Sequence, residues 1–215
     1  PAVLGMLAIS SANIVDGFFI GNYVGDFGLA AINISFPIFS LLFGFALMLA
    51  IGSSVTTGKL IGEGDINSAS MIFSKTMICI TLFSFLTCTL LFLNIETILH
   101  LFGANEDLTK IAIEYLSVIL IFIPFLMIGV VLDYFVRVDN RPNLAFIALL
   151  SSAVINVILD WFLIVYLQKG IFGAALATGI SQLALIFILL PHFFSKKATL
   201  KFVKPIGSYI QILKA

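Results

Sequence analysis

Long uncharged apolar runs constrain this chain more than any other feature of its sequence. Uncharged stretches cover residues 27–58, 76–95, 115–132, 142–159 and 170–195. A sixth run, residues 1–25, is interrupted only by Asp16. A helix needs about 20 mainly apolar residues to span a bilayer. The sequence therefore predicts an all-α, polytopic membrane protein, built as a bundle of six transmembrane helices.

The predicted organisation is a six-helix transmembrane lobe over residues 1–195, followed by a basic cytoplasmic linker over residues 196–215. The helices are predicted near residues 1–22, 29–54, 70–93, 109–136, 143–167 and 172–194. The composition agrees, because 61% of the residues are hydrophobic and 10% are charged, whereas soluble domains have about 45–50% and about 25%. The net charge is zero, so no basic surface indicates a nucleic-acid partner.

The positive residues predict the orientation of the bundle. Of the 11 lysines and arginines, nine lie on the side reached after even-numbered spans, and two, Lys110 and Lys169, lie on the other side. Cytoplasmic segments carry the excess of positive charge in membrane proteins. We therefore expect a multi-pass protein of the cytoplasmic membrane, with its N-terminus and its C-terminal tail in the cytoplasm.

Both ends of the sequence are expected to be cut, because Pro1 lies inside an apolar run and the last residues follow a basic stretch. Residues 195–215 hold five lysines among apolar residues. This tail is either a plain cytoplasmic flank or an amphipathic segment on the membrane surface that leads to a second half. The sequence leaves both interpretations open.

Asp16 and Asp160 are acidic residues within predicted spans rather than at their ends. A charge near the bilayer centre costs about 2.5–3.5 kcal/mol, so such residues tend to face the bundle interior and to mark ion or proton paths. Counted from the outer ends of their spans at about 1.5 Å per residue, Asp16, Asp160 and Thr178 lie roughly 9–11 Å deep. The structural alternative is that each aspartate caps or pairs within the bundle.

Helical spacing groups further polar residues with these aspartates. Asn156 shares a face with Asp160, and Asn13 shares one with Asp16, since residues three or four apart are neighbours on a helix. One face of the sixth span carries Ala174, Thr178 and Gln182. If the first, fifth and sixth spans meet, two carboxylates share an apolar site without a cationic side chain. Such a pair holds a proton or binds Na⁺ through hard oxygen ligands, so we predict a cation-coupling site and no other cofactor.

Other polar residues are expected to have structural roles. Glu114 and Tyr115 begin the fourth span, where an interfacial role is expected, and Tyr115 is also a candidate cavity-lining residue with Asn13 and Gln182. Asp133 and Arg137 can form a surface ion pair of little energetic value. In the connection after the second span, Asp65 or Asn67 can cap the next helix. His100 and His192 stand alone, without metal-ligand spacing.

At these residues the sequence resembles the multidrug and toxic compound extrusion (MATE) family. The matching positions run through nearly the whole chain: Pro1, residues 15–21, residues 62–65 with Ala69, residues 115–116, residues 124–125, Arg137, residues 140–142, residues 156–160, residues 170–178 and residues 181–182. Each segment alone is a weak signal, and their order and spacing together are specific.

The resemblance implies a transporter of twelve helices in two six-helix lobes, of which this chain would be the N-terminal lobe. It implies export of drugs or other organic, often cationic, compounds, driven by inward flow of H⁺ or Na⁺. By motif match, the cation site would comprise Asp16, Asn156, Asp160 and Thr178, with Ala174 offering a backbone carbonyl, and Na⁺ would bind the first four. Pro1 would correspond to a proline associated with bending of the first helix.

Three other functions fit the sequence less well. A flippase for lipid-linked oligosaccharides, from the same superfamily, would tend to carry cationic residues in its cavity for phosphate, and this lobe has none there. An intramembrane enzyme would need a nucleophile or metal dyad, and no such motif occurs, so no catalytic residue is predicted. A purely structural scaffold gives no reason for two aspartates at one depth. The expected partners are a small organic substrate, the lipid bilayer and a second six-helix lobe.

Overall fold

The computed structural model describes residues 2–204, and within them it contains six long helices and no strand. The helices are α1 (Ala2–Tyr23), α2 (Asp26–Gly62), α3 (Ile66–Leu93), the short α4 (Ile95–Leu101), α5 (Glu106–Val138), α6 (Pro142–Asp160) and α7 (Gly170–Leu189). The predicted fourth, fifth and sixth spans are therefore α5, α6 and α7. Pro1 and most of the predicted linker lie outside the described residues.

Five helical stretches are long and apolar enough to cross a membrane: residues 26–62, 66–93, 106–138, 142–166 and 170–194. The first helix, α1, has 22 residues and is therefore about 33 Å long, which exceeds the hydrocarbon thickness of about 30 Å. The chain is thus a multi-pass, all-α membrane protein, as the apolar runs predicted.

Two helices extend further than the apolar runs indicated. The second helix continues to Gly62, eight residues past the predicted end at residue 54, and α5 begins at Glu106. Hydropathy marks where lipid contact ends, whereas a helix can continue into water if its exposed residues support it. The extension of α2 carries an exposed ion pair between Lys59 and Glu63, at 3.9 Å.

Two side-chain caps fix where helices start after the connections. Of the two candidate caps for α3, Asp65 is the one used, and it accepts the backbone N–H of Ser68 at 3.0 Å. The preceding Gly64 has a φ of 82°, a left-handed conformation that glycine adopts without strain. At the start of α5, Asn105 accepts the backbone N–H of Leu108 at 2.9 Å.

The regular α-helix of the fifth span ends earlier than predicted. It stops at Asp160 and continues as a π-helical turn, Trp161–Tyr166, whereas we expected a regular helix to residue 167. The backbone N–H of Leu167 donates to the carbonyl of Phe162 at 2.9 Å, the i to i−5 pattern of a π turn. Hydropathy cannot distinguish the two helix types, so this difference was not visible in the sequence.

The core of the bundle is centred on α5, which packs against α2, α3 and α7. Two glycines allow the closest approach between α5 and α7. A Cβ atom placed on Gly129 would lie 2.8 Å from Leu185 Cδ2, and one on Gly179 would clash with the ring of Phe122. Small residues at helix interfaces are the usual means of close packing in membranes. By contrast, α1 packs mainly along α6.

The ion pair at the end of α5 is more buried than expected. Arg137 donates from Nε to Asp133 Oδ2 and from an Nη atom to Oδ1, each at 3.0 Å. Their side chains are only 22% and 11% exposed. The expectation of a surface pair was wrong, because helices packed around α5 cover the pair in a way that residue spacing does not show.

The histidine at the end of the last span does not stand alone. His192 Nε2 lies 2.6 Å from Asp139 Oδ2. Residues 195–204, called the strap below, return across the same end of the bundle. Within the strap, Leu200 is fully buried. Residues 195–204 are therefore docked on the bundle rather than forming a free flank. The other interpretation of the tail, an amphipathic segment on the membrane surface, stays a prediction.

Candidate cation site

The packing of α1 along α6 brings Asp16 and Asp160 together. The two carboxyl groups lie within hydrogen-bonding reach of each other. Asp160 is fully buried and is the last α-helical residue before the π turn. Their similar depth was visible in the sequence, and the structure adds that the two side chains face each other.

Neither carboxylate finds a compensating partner elsewhere in the described chain. Asp16 Oδ1 and both carboxylate oxygens of Asp160 are buried and accept no hydrogen bond from a donor within residues 2–204. The ion pairs within residues 2–204 involve Glu63, Asp133 and Asp139 rather than Asp16 or Asp160. Burying a polar group without a hydrogen bond costs several kcal/mol, and burying an unpaired charge costs more. The pair therefore requires a proton or a cation between its oxygens.

The repulsion energy between two ionised carboxylates indicates how much a bound proton or cation must offset. Two unit charges about 4 Å apart interact by about 4 kcal/mol at an effective dielectric constant of about 20. A monovalent cation between them removes that repulsion and supplies two attractive interactions. The geometry of Asp16 and Asp160 therefore favours a proton or a metal cation over a neutral or anionic ligand.

An apolar cluster lies one helical turn beyond the carboxylates. Ile20 follows Asp16 by four residues and Ile164 follows Asp160 by four, and both belong to a buried cluster with Ile171 and Ala174. The ring of Tyr115 packs against this cluster. The cluster thus separates the carboxylates from the helix ends, and Ala174 belongs to it; a role for its carbonyl in cation binding stays a prediction.

Tyr115 packs against the apolar cluster in the interior of the bundle. It lies within electrostatic range of both Asp16 and Asp160, whereas its neighbour Glu114 is exposed. Adjacent residues on a helix point about 100° apart, so one can face the bundle while the other faces outward. Residue spacing alone could not decide which of the two faced inward.

The predicted amide and hydroxyl ligands lie on facing helices. Asn156 is buried on the face of α6 that also carries Ser152 and Asp160. Ser152 Oγ donates to the backbone carbonyl of Ser181 at 2.8 Å and joins α6 to α7 at this level. Thr178, which is half-buried, precedes Ser181 by one turn. No described hydrogen bond joins Asn156 or Thr178 to the carboxylates.

The remaining candidate residues lie farther from the pair. Asn13 is exposed on α1, and Gln182 is half-buried on α7, one turn beyond Thr178. No described hydrogen bond links either residue to Asp16 or Asp160. Their role as cavity-lining residues stays a prediction.

The donor atoms available at this site are oxygens. Residues 2–204 hold no group of three or more His, Cys, Asp or Glu side chains that could form a transition-metal site. The two carboxylates are hard donors, which suit H⁺ and hard cations such as Na⁺ rather than soft metals, and the predicted amide, hydroxyl and carbonyl ligands are of the same kind.

Known proteins match this chain over nearly its whole length. The family model MatE matches residues 1–162. The multidrug export protein MepA of Staphylococcus saprophyticus is 28% identical over 95% of this chain, and that of Staphylococcus haemolyticus is 27% identical over 94%. A crystal structure of MATE in complex with MaD3S superposes with a TM-score of 0.91 at 25% identity over 98% of this chain. The chain spans 46%, 45% and 48% of these three proteins.

Proposed function

This chain belongs to the MatE family, and from that membership and the paired carboxylates we propose that it is one lobe of a cation-coupled antiporter. The whole transporter would export drugs or other organic, often cationic, compounds across the cell membrane in exchange for H⁺ or Na⁺. The similarity to proteins named multidrug export protein supports the substrate class. The share of each matched protein that this chain covers supports a second lobe.

One observation carries the proposal: both oxygens of Asp160 and Oδ1 of Asp16 are buried without a protein donor, and the two carboxyl groups lie within reach of each other. Purely structural carboxylates in a membrane are paired with a cation or with donors, because lipid supplies neither. A coupling site must instead be able to bind its cation and to release it. An unpaired carboxylate couple meets that requirement, since it is stabilised only while the cation is present.

Coupling follows if the cation binds one conformation of the lobe more tightly than another. A ligand shifts a conformational equilibrium only by its difference in affinity between the two states. Here the cation holds α1 against α6 through Asp16 and Asp160. Without it, repulsion between the two carboxylates favours separation of these helices. Entry of the cation from outside would thus close α1 onto α6 and favour release of the substrate outward.

The two coupling ions would use the site differently. A proton needs only the two carboxylates, which can share it. Sodium needs several oxygen ligands, so Asn156, Thr178 and the carbonyl of Ala174 would complete its coordination. We also propose that both ends of this lobe are cytoplasmic, on the excess of lysine and arginine at that side.

The test is substrate efflux from vesicles that contain the full-length protein, with a Na⁺ gradient and an H⁺ gradient imposed separately. Asp160→Asn should abolish efflux driven by either gradient. Asn156→Leu should abolish Na⁺-driven efflux and leave H⁺-driven efflux intact, if sodium uses the larger ligand set. Asp26→Asn, at an exposed carboxylate in the first turn of α2, is the matched control and should transport normally.

Gradient-driven efflux that persists at the wild-type rate in both Asp160→Asn and Asp16→Asn would refute the proposal. Expression level and elution as a single species must match the wild type for the comparison to hold. A flippase for lipid-linked oligosaccharides is not favoured, because the matched relatives are named multidrug export proteins.

A further inference from the structure

The strap, residues 195–204, is anchored to the end of α5 by one carboxylate. It follows a 3₁₀ turn, Leu190–Phe194, that ends α7. Asp139 Oδ1 accepts the backbone N–H of Thr199 at 3.0 Å and that of Leu200 at 3.1 Å. Its other oxygen faces His192, and the Asp139 side chain is fully buried. Both carboxylate oxygens of Asp139 therefore have hydrogen-bonding partners, and the side chain is shielded from solvent.

Two serine hydroxyls of α3 hold the next part of the strap. The backbone N–H of Lys201 donates to Ser70 Oγ at 3.3 Å, and that of Val203 donates to Ser74 Oγ at 2.9 Å. Ser70 and Ser74 are four residues apart and so lie on one face of α3. Side chains thus satisfy four backbone donors of the strap and hold it against the bundle, after a turn between Ser195 and Ala198.

The strap residues lie on two faces. Ala198 and Leu200 are buried, and the ring of Phe202 packs on Phe73 with centroids 4.8 Å apart. Lys197 and Lys201, next to these positions, are exposed, and so are Lys196 and Lys204. Docking of the apolar residues therefore leaves the lysines facing outward.

The outward face is positively charged and is not neutralised within the described chain. Four exposed residues, called the strap lysines, are Lys196, Lys197, Lys201 and Lys204. Residues 190–204 contain no acidic residue. None of the four is in an ion pair described for residues 2–204. The acidic group that the strap contacts, Asp139, is buried with its oxygens already used.

The position of this charge relative to the membrane indicates its partner. Phe194, at the end of the last membrane span, is 72% exposed and stacks on Phe202, which is 40% exposed. Phe194 is the last residue of the stretch that is long and apolar enough to cross a membrane, so this exposed apolar pair marks the end of the span. The strap lysines follow it directly, at the level where lipid phosphates lie.

We propose that the strap is a preformed binding surface for anionic phospholipid headgroups. Basic clusters next to a membrane span are attracted to anionic lipids, and each lysine contributes to that attraction. The docked strap adds a fixed arrangement, because hydrogen bonds to Asp139, Ser70 and Ser74 hold its backbone against the bundle. The surface binds lipid phosphate, not a soluble anion, since the aromatic pair beside it contacts acyl chains.

The experiment measures lipid binding to the purified full-length protein by native mass spectrometry. Phosphatidylglycerol and phosphatidylcholine are titrated separately. Replacing all four strap lysines by Gln should lower the affinity for phosphatidylglycerol by at least roughly fivefold, the effect of one lysine at an anionic surface, and leave phosphatidylcholine unchanged. The control, Lys110→Gln with Lys169→Gln, removes two charges near the starts of α5 and α7, at the opposite end, and should bind both lipids like the wild type.

Wild-type affinity for phosphatidylglycerol in the four-lysine variant, or an equal loss in the control, would overturn the proposal. Ser74→Ala and Asp139→Asn separate fixed arrangement from net charge, since both loosen the strap and retain its lysines. Each should weaken phosphatidylglycerol binding, and unchanged binding in both would show that the surface is not preformed. Displacement of the lipid by millimolar inorganic phosphate would identify a soluble-anion site and would also overturn it.

Discussion

Replacing Asp160 by Asn should stabilise the folded protein while it removes cation coupling. In low-sodium buffer the wild type buries two facing carboxylates that lack a protein donor. Their repulsion is at most about 4 kcal/mol if both are ionised, and a shared proton lowers it. The amide of Asn also donates a hydrogen bond to Asp16, which contributes about 1.5–3 kcal/mol when the acceptor is charged.

These terms predict a net stabilisation of about 2–4 kcal/mol, because the introduced amide is itself buried and recovers only part of the gain. For a unit of this lobe's size, 1 kcal/mol shifts the melting temperature by about 2–4 °C, and for a protein of twice that size by about half as much. The melting temperature of the purified full-length variant, followed by intrinsic fluorescence, should therefore rise by roughly 2–8 °C. Asp26→Asn, at an exposed carboxylate, should change it little.

Two further measurements decide whether the repulsion is the cause. Adding Asp16→Asn to Asp160→Asn should give no further stabilisation, because one neutral partner already removes the charge pair. Sodium should raise the melting temperature of the wild type and not that of Asp160→Asn, since only the wild type binds it. A melting temperature of Asp160→Asn at or below that of the wild type would refute the reasoning.

Two other predictions concern the packing and the caps. Gly179→Ala should destabilise the protein by about 1–3 kcal/mol through overpacking, whereas Gly44→Ala, where a Cβ meets nothing within 4 Å, should not; chemical unfolding of both variants decides. Hydrogen bonds from Ser68 lower the pKa of Asp65, so its stabilising effect is present at neutral pH and is lost as pH falls through that lowered value. Asp65→Ala should therefore cost stability at neutral pH and nothing under acid conditions, and a loss that is independent of pH would contradict it.

Hydropathy predicted the number and order of the membrane helices because lipid contact is a property of composition. It missed the end of α2 at Gly62 and the π turn after Asp160. The end of α2 and the π turn are both decided by backbone hydrogen bonding at the membrane boundary, where the run of apolar residues no longer indicates whether the helix continues. The facing of Asp16 and Asp160 could be expected from depth and helical spacing, which are geometric.

The features that escaped prediction depend on contacts between distant parts of the chain. The strap residues Leu200 and Phe202 are apolar, and their sequence does not show whether the bundle or the membrane covers them. The partner of His192 is Asp139, 53 residues earlier. Tyr115 packs against the apolar cluster because α5 is central, which only the packing of the whole bundle determines.

The first helix, α1, packs on the bundle by one face only, so a cation bound on that face is one helix diameter from the opposite, exposed face. Asp16 faces α6, whereas Ile14 and Phe18, two residues to either side, are 74% and 61% exposed. Two residues correspond to about 200° on a helix, so these side chains point away from the site. A rotation of α1 about its axis therefore moves the carboxylate face and the outer face of the lobe together. The two faces are about 10 Å apart, one helix diameter. The other helices of the bundle need not repack for this change.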